Sequence, residues 1–199
     1  MKLLILPVLL IGALCAALTT SPDLQDRQDP VQDMAAMMAQ AEKYTQPGEN
    51  HKLLERFLGE WKTETSITMG GTSTPAEAGT STTTWLIPGR WLQSRAKGVL
   101  MGQDFETVTV MGYDNFKMSY VFTTVSNMDT AMNRSEGDLD PITNALVMYG
   151  TLDEYLTGEH DKMVKTVIRF PSEDESVMEI HDLAIGENNT KVIEIKYTR

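Results

Sequence analysis

The sequence predicts a mainly β protein: a single antiparallel up-and-down β-barrel of about ten strands, preceded by one or two short helices. Three observations predict it. From Trp61 onward, short segments alternate apolar and polar residues, as a strand with one buried face requires. Links rich in Gly, Pro, Asn and Asp separate these segments: "GGTSTP", "PGR", "LMGQ", "DNF", "SNMD", "DPITN", "YLTGEH", "PSED" and "IGENN". A long meander of twisted strands also leaves two unpaired edges unless its first and last strands meet.

The elements follow in chain order. Residues 1–20, "MKLLILPVLLIGALCAALTT", hold a lone positive charge at Lys2, an apolar run from Leu3 to Leu14 and then small residues. That is the pattern of a secretory signal peptide, with cleavage expected between Cys15 and Thr20. The run is shorter than the ~20 residues of a spanning helix, so no membrane span is expected. The exported chain would then reside in the periplasm or outside the cell. Cys15 is the only cysteine, so the mature domain has no disulfide. Leu14 stands where lipoprotein processing prefers a small residue, and whether Cys15 is lipidated stays open.

Residues 21–30 read as a polar linker, and residues 31–199 as one domain. A chain of that size buries roughly 70% of its unfolded surface, enough for a single core. In "DPVQDMAAMMAQAEKY", Asp29 can cap, Pro30 suits a first turn, and Met34, Met37, Met38 and Ala41 share a helical stripe. That stripe packs on the barrel, forms a lid or contacts another subunit. "TQPGEN" ends this helix. Asn50 is then positioned to cap a second short helix with a stripe of Leu54, Phe57 and Leu58, closed by Gly59.

Strands are expected over 60–69, 80–87, 91–98, 104–112, 117–125, 130–139, 145–152, 161–170, 176–184 and 190–198. The cluster "TSTTTW" fits one of them because Thr is β-branched. The final hairpin admits a register: His181 opposite Glu194, Glu179 opposite Lys196, Leu183 opposite Val192. Met178 then meets Tyr197, Ile180 meets Ile195, and Asp182 meets Ile193. The face of Ile180, Ile195 and Tyr197 points inward, and the other face carries opposite charges.

Four fragments in order, "PGENHKLLERFLGEW", "GRWLQSRAKGVLMGQDFE", "MGYDNFKMSYV" and "VIEIKYTR", resemble the bacterial domain-of-unknown-function 1579 family (DUF1579) over about residues 31–199. The resemblance implies a lipocalin-like (calycin-type) barrel, often exported, with no settled activity and no catalytic residues to carry over. Gly59-Glu60-Trp61 is also similar to the Gly-x-Trp that opens lipocalins. There the Trp lies across the closed barrel end and an Arg of the last strand packs on it. The resemblance assigns that closure to Trp61 with Arg199, or with Lys196. No second lipocalin loop motif is present.

The formal charge of −11 disfavours nucleic acid and anionic membranes as partners. Catalysis is disfavoured too. There is no Gly-x-Ser-x-Gly elbow, no His-x-x-x-His pair and no cysteine nucleophile in the mature chain. No cofactor or metal is expected. "GDLD" and "SEDE" are solvated turns rather than calcium loops. Of the three histidines, His51 reads as a structural residue near a helix cap and His160 as a turn residue. His181 is the one candidate haem ligand, and only if its strand turns it inward.

Trp85, Trp91, Phe105, Met118, Tyr120, Phe122 and Met148 are the remaining ligand-pocket candidates, with Met111 and Tyr149 beside them. Such side chains either fill the barrel or line a cavity. The favoured reading is non-enzymatic binding of a small apolar or amphipathic ligand. The alternatives are a filled barrel acting as a scaffold, haem binding, or an enzyme acting in the cavity. Oligomeric state is open.

Overall fold

The structure is a computed structural model that describes residues 30–199, except 70, 155–157 and 184–188. The leader and all of the linker but Pro30 lie outside the described residues. The chain divides into two compact units between Gln40 and Ala41. Helix α1 (Pro30–Thr45) runs across that boundary. Its Met34, Met37 and Met38 are all exposed.

In the second unit, a 3₁₀ helix (Glu49–Phe57) leads directly into the sheet. Its strands are β1 (Gly59–Met69), β2 (Thr72–Ser73), β3 (Glu77–Ile87), β4 (Trp91–Leu100), β5 (Gln103–Asp114) and β6 (Ser119–Ser126). They continue as β7 (Asn133–Leu139), β8 (Leu146–Glu154), β9 (Glu159–Ser172), β10 (Glu175–Leu183) and β11 (Asn189–Thr198). The two-residue β2 folds back on the end of β1. The rest are antiparallel neighbours in sequence order, and β1 also pairs with β11, so that Thr63 faces Gly79 on one side and Tyr197 on the other. The ten expected strands are therefore present and closed into a ring, which removes both edges.

Alternation sets what points inward. On β1, Trp61, Thr63 and Thr65 are buried while Lys62 and Glu64 are exposed; on β3, Ser81 and Thr83 are buried between exposed threonines. The densest packing is at the end where β1 begins. Leu54, Leu92, Leu146, Met148 and Ile168 are essentially without solvent exposure there. The 3₁₀ helix plugs this end. Its three-residue period puts His51, Leu54 and Phe57 on one side, and the first two are buried.

Two local expectations are corrected. The cap of the short helix is Gly48, not Asn50. The Gly48 carbonyl accepts the His51 N–H at 3.0 Å, and His51 Nδ1 accepts the Gly48 N–H at 3.0 Å. Asn50 instead offers its carbonyl to the Tyr120 hydroxyl at 2.7 Å. The final hairpin is shifted by two residues, with Met178 opposite Ile195 and Ile180 opposite Ile193. Beyond a bulge, His181 faces Lys191 and Asp182 faces Thr190. A two-residue slip keeps every side chain on its face, so alternation alone does not select between the registers. Glu179 consequently faces Glu194, an arrangement made tolerable by Lys191, which pairs with both carboxylates, and by Arg169 on β9.

Candidate functional site

Above the plug the barrel encloses a cavity of about 430 Å³. Phe57, Trp61, Met111 and Phe122 lie toward its floor, and Leu100, Phe105, Met128 and Leu152 toward its rim. The floor is built from aromatic contacts. Phe57 meets Phe122 and Phe170 edge-on at 6.0 and 5.4 Å, and Trp61 meets Tyr197 at 6.4 Å. Trp61 donates its indole N–H to the Phe57 carbonyl at 3.0 Å. The Arg199 guanidinium lies 4.0 Å over the Trp61 ring and reaches the Arg56 carbonyl at 3.3 Å. Lys196 is directed outward, where it neighbours Glu194. Gly59 turns the chain into β1 with φ +108°, and a Cβ there would approach Arg199 to 3.8 Å.

The walls differ in chemistry. Strands β3 to β7 present Ser81, Thr83, Ser94, Thr107, Thr109, Thr124, Ser126, Asn133 and Ser135 to the cavity. Several are joined: Thr83 donates to Ser94 at 2.9 Å, Ser81 and Ser94 share a bond of 3.0 Å, and Thr109 and Thr124 share one of 2.8 Å. Strands β9 to β11 present mostly aliphatic groups, including Val164, Ile168, Met178, Ile180, Ile193 and Ile195. Burial pushes the Tyr197 hydroxyl up to about 12, so it is a neutral phenol at physiological pH.

The candidates named from sequence divide. Phe105, Phe122 and Met148, with Met111, line the cavity. Trp85 and Tyr120 pack into the core of the closed end without lining it. Tyr120 bonds Asn50 and meets Tyr113 edge-on at 4.9 Å, and burial raises its hydroxyl to about 12. Trp91 is on the outer face. It covers Gly112, where an added Cβ would come within 2.4 Å of its ring, and borders a smaller recess of about 180 Å³ beside His51, Arg90 and Tyr113. Its strand places even-numbered residues inward, and 91 is odd. Met118 takes φ +53° in the turn before β6 and is exposed, and Tyr149 is half-exposed.

His181 shares the outer face with Glu179, whose carboxylate is 3.4 Å from Nε2; Nδ1 has no partner among the described residues. The inward orientation on which the haem reading depended is therefore not adopted. Asp182 does not face Ile193. It pairs at 2.9 Å with Lys162, which also meets Glu154 at 2.7 Å and Glu159 at 3.2 Å near the rim. Hydrogen bonds to these carboxylates raise the Lys162 ammonium well above the ordinary lysine value. Among the described residues no three His, Cys, Asp or Glu side chains converge as metal ligands. No described helix is long and apolar enough to cross a membrane.

From the sequence the threonines are strand formers only, and the polar wall they build emerges with the barrel. Its signal was hydroxyls at every second position: Ser81 and Thr83, Thr107 and Thr109, Thr124 and Ser126.

Barrel, plug and cavity together span the segment that a family comparison recognises. The sequence model of a family described as "Protein of unknown function (DUF1579)" matches residues 46–199. The chain belongs to this family. The DUF1579 match begins immediately after α1 and takes in the 3₁₀ plug and all ten barrel strands. None of the curated proteins compared with the chain matches it.

Proposed function

We propose that this DUF1579 protein holds a small apolar or amphipathic molecule in its barrel and does not alter it chemically. The cavity of about 430 Å³ carries this reading. Its size is within the ~300–1,000 Å³ of small-molecule sites, and its wall is largely apolar with placed polar groups. A scaffold with a filled interior accounts less well for that space. The hydroxyls of the wall support binding rather than nucleophilic chemistry. Ser or Thr needs an adjacent base, and no histidine lines the cavity among the described residues. The leader-like segment Met1–Thr20 supports an exported protein, periplasmic or extracellular.

The test is native mass spectrometry of protein purified from its own host, paired with titration of the apolar fluorophore N-phenyl-1-naphthylamine. The reading expects a bound mass that is lost on denaturation and a saturable fluorescence rise. Bare mass in repeated preparations together with no fluorophore binding would favour the scaffold.

A further inference from the structure

Thr83, Ser94, Thr109, Thr124 and Asn133 stand in direct cross-strand register on β3 to β7, each opposite the next. All five line the cavity. They form a polar belt around half the ring of strands. The other side, β9 to β11, is aliphatic, interrupted by Thr166 and Ser176. Valine has almost the shape of threonine and favours strands equally, so barrel packing gives no reason for this belt. A hydroxyl in an apolar interior is unfavourable unless it is hydrogen-bonded. Each hydroxyl has one donor and two acceptor positions. The Thr109–Thr124 bond and the bonds to Ser94 therefore leave lone pairs, and one proton in each group, unused among these hydroxyls. Of the charged residues bordering the cavity, Arg134 turns to the outer face, where it meets Glu136 at 3.7 Å, and Asp129 lies in the link before β7 with its carboxylate accepting the Ala131 N–H at 3.0 Å.

Resting on the ligand-binding reading above, we infer that the ligand is neutral and facially amphipathic. It has one apolar flank against β9 to β11, and an opposite flank bearing several hydroxyl, carbonyl or ether oxygens that complete the belt on β3 to β7.

Two probes of one rigid skeleton test this. Methyl cholate carries three hydroxyls on a single face; methyl 5β-cholanate carries none. Each is titrated against the protein loaded with N-phenyl-1-naphthylamine. Methyl cholate is expected to displace the fluorophore at a concentration lower by at least about tenfold. The variant T109V/T124V is expected to erase that preference. It removes both partners of one hydrogen bond with little change of shape, which leaves no orphaned group and is compatible with folding. Should its urea midpoint nevertheless collapse, T107V is expected to reduce the preference instead. Equal displacement, preference for the cholanate, failure of both steroids against a bound fluorophore, or a preference unchanged in the valine variant overturns the facial assignment while leaving ligand binding intact. Failure of the fluorophore and both steroids to bind overturns the ligand-binding reading, and this inference with it.

Discussion

His51 joins chemistry to packing at one position. It is 7% exposed, accepts the Gly48 N–H, and meets Tyr113 edge-on at 5.6 Å. Burial first, and the Arg90 charge second, hold its pKa below the ordinary 6.5. Protonation is thus favoured in the unfolded chain. The resulting stability is complete above the unfolded value and declines as pH falls from 6.5 toward the native value. The urea midpoint is expected to drop between about pH 7.5 and pH 5.5, and less so in H51N, which keeps an acceptor but does not titrate. Glu106, Glu136, Glu179 and Asp140, all held below their ordinary values, act at lower pH and do not blur that window. At the same barrel end, R199A removes the cation over Trp61 and is expected to cost about 1 kcal/mol. R199K, which keeps charge but not the planar stack, should fall between R199A and wild type in urea titrations followed by tryptophan emission.

Strands β7 and β8 depend on glycine for their close approach. A Cβ on Gly137 would lie 2.0 Å from the Val147 carbonyl oxygen and 2.5 Å from the Met148 Cα, both backbone atoms. G137A is therefore expected to destabilise by about 3 kcal/mol or more, or to abolish soluble expression. G48A is the contrast: it has nothing within 4 Å and an ordinary φ of −120°, so its unfolding free energy should fall by no more than about 1 kcal/mol, the cost of Ala at a helix cap. Element types and their order were legible in the sequence because each rests on local signals, turn formers and period-two alternation. The plug was legible only in part. Leu54, Phe57 and Leu58 pack against the core as their apolar pattern predicts, but a turn of 3.6 residues leaves out His51. A three-residue turn restores it, and that turn is set by the barrel end against which the segment packs. Trp91 was misplaced for a similar reason: large aromatic character does not reveal which side of the sheet a residue occupies.

Closure is the property of the whole molecule, and the β1–β11 seam is where it can be tested. Glu64 and Lys196 face each other across that seam on the outer surface. Antiparallel partners have Cα atoms about 4.5–5.5 Å apart, within the range a disulfide spans. E64C/K196C is expected to oxidise to an intramolecular disulfide, seen as faster migration on non-reducing gels. It should gain about 2–4 kcal/mol over its reduced form, because the closed loop takes in nearly the whole barrel. A pair that stays reduced under mild oxidant would contradict the seam.

Alternation, turn chemistry and composition by themselves determined ten antiparallel strands in sequence order behind a short helix, because these are properties of each segment and its immediate neighbours. The hairpin register, the depth of each inward side chain and the split of the cavity into hydroxyl and aliphatic walls were decided only in the tertiary structure. A slip of two residues leaves every local pattern intact. What distinguishes one register from another is contact between strands far apart in sequence, and above all the single pairing of the first barrel strand with the last.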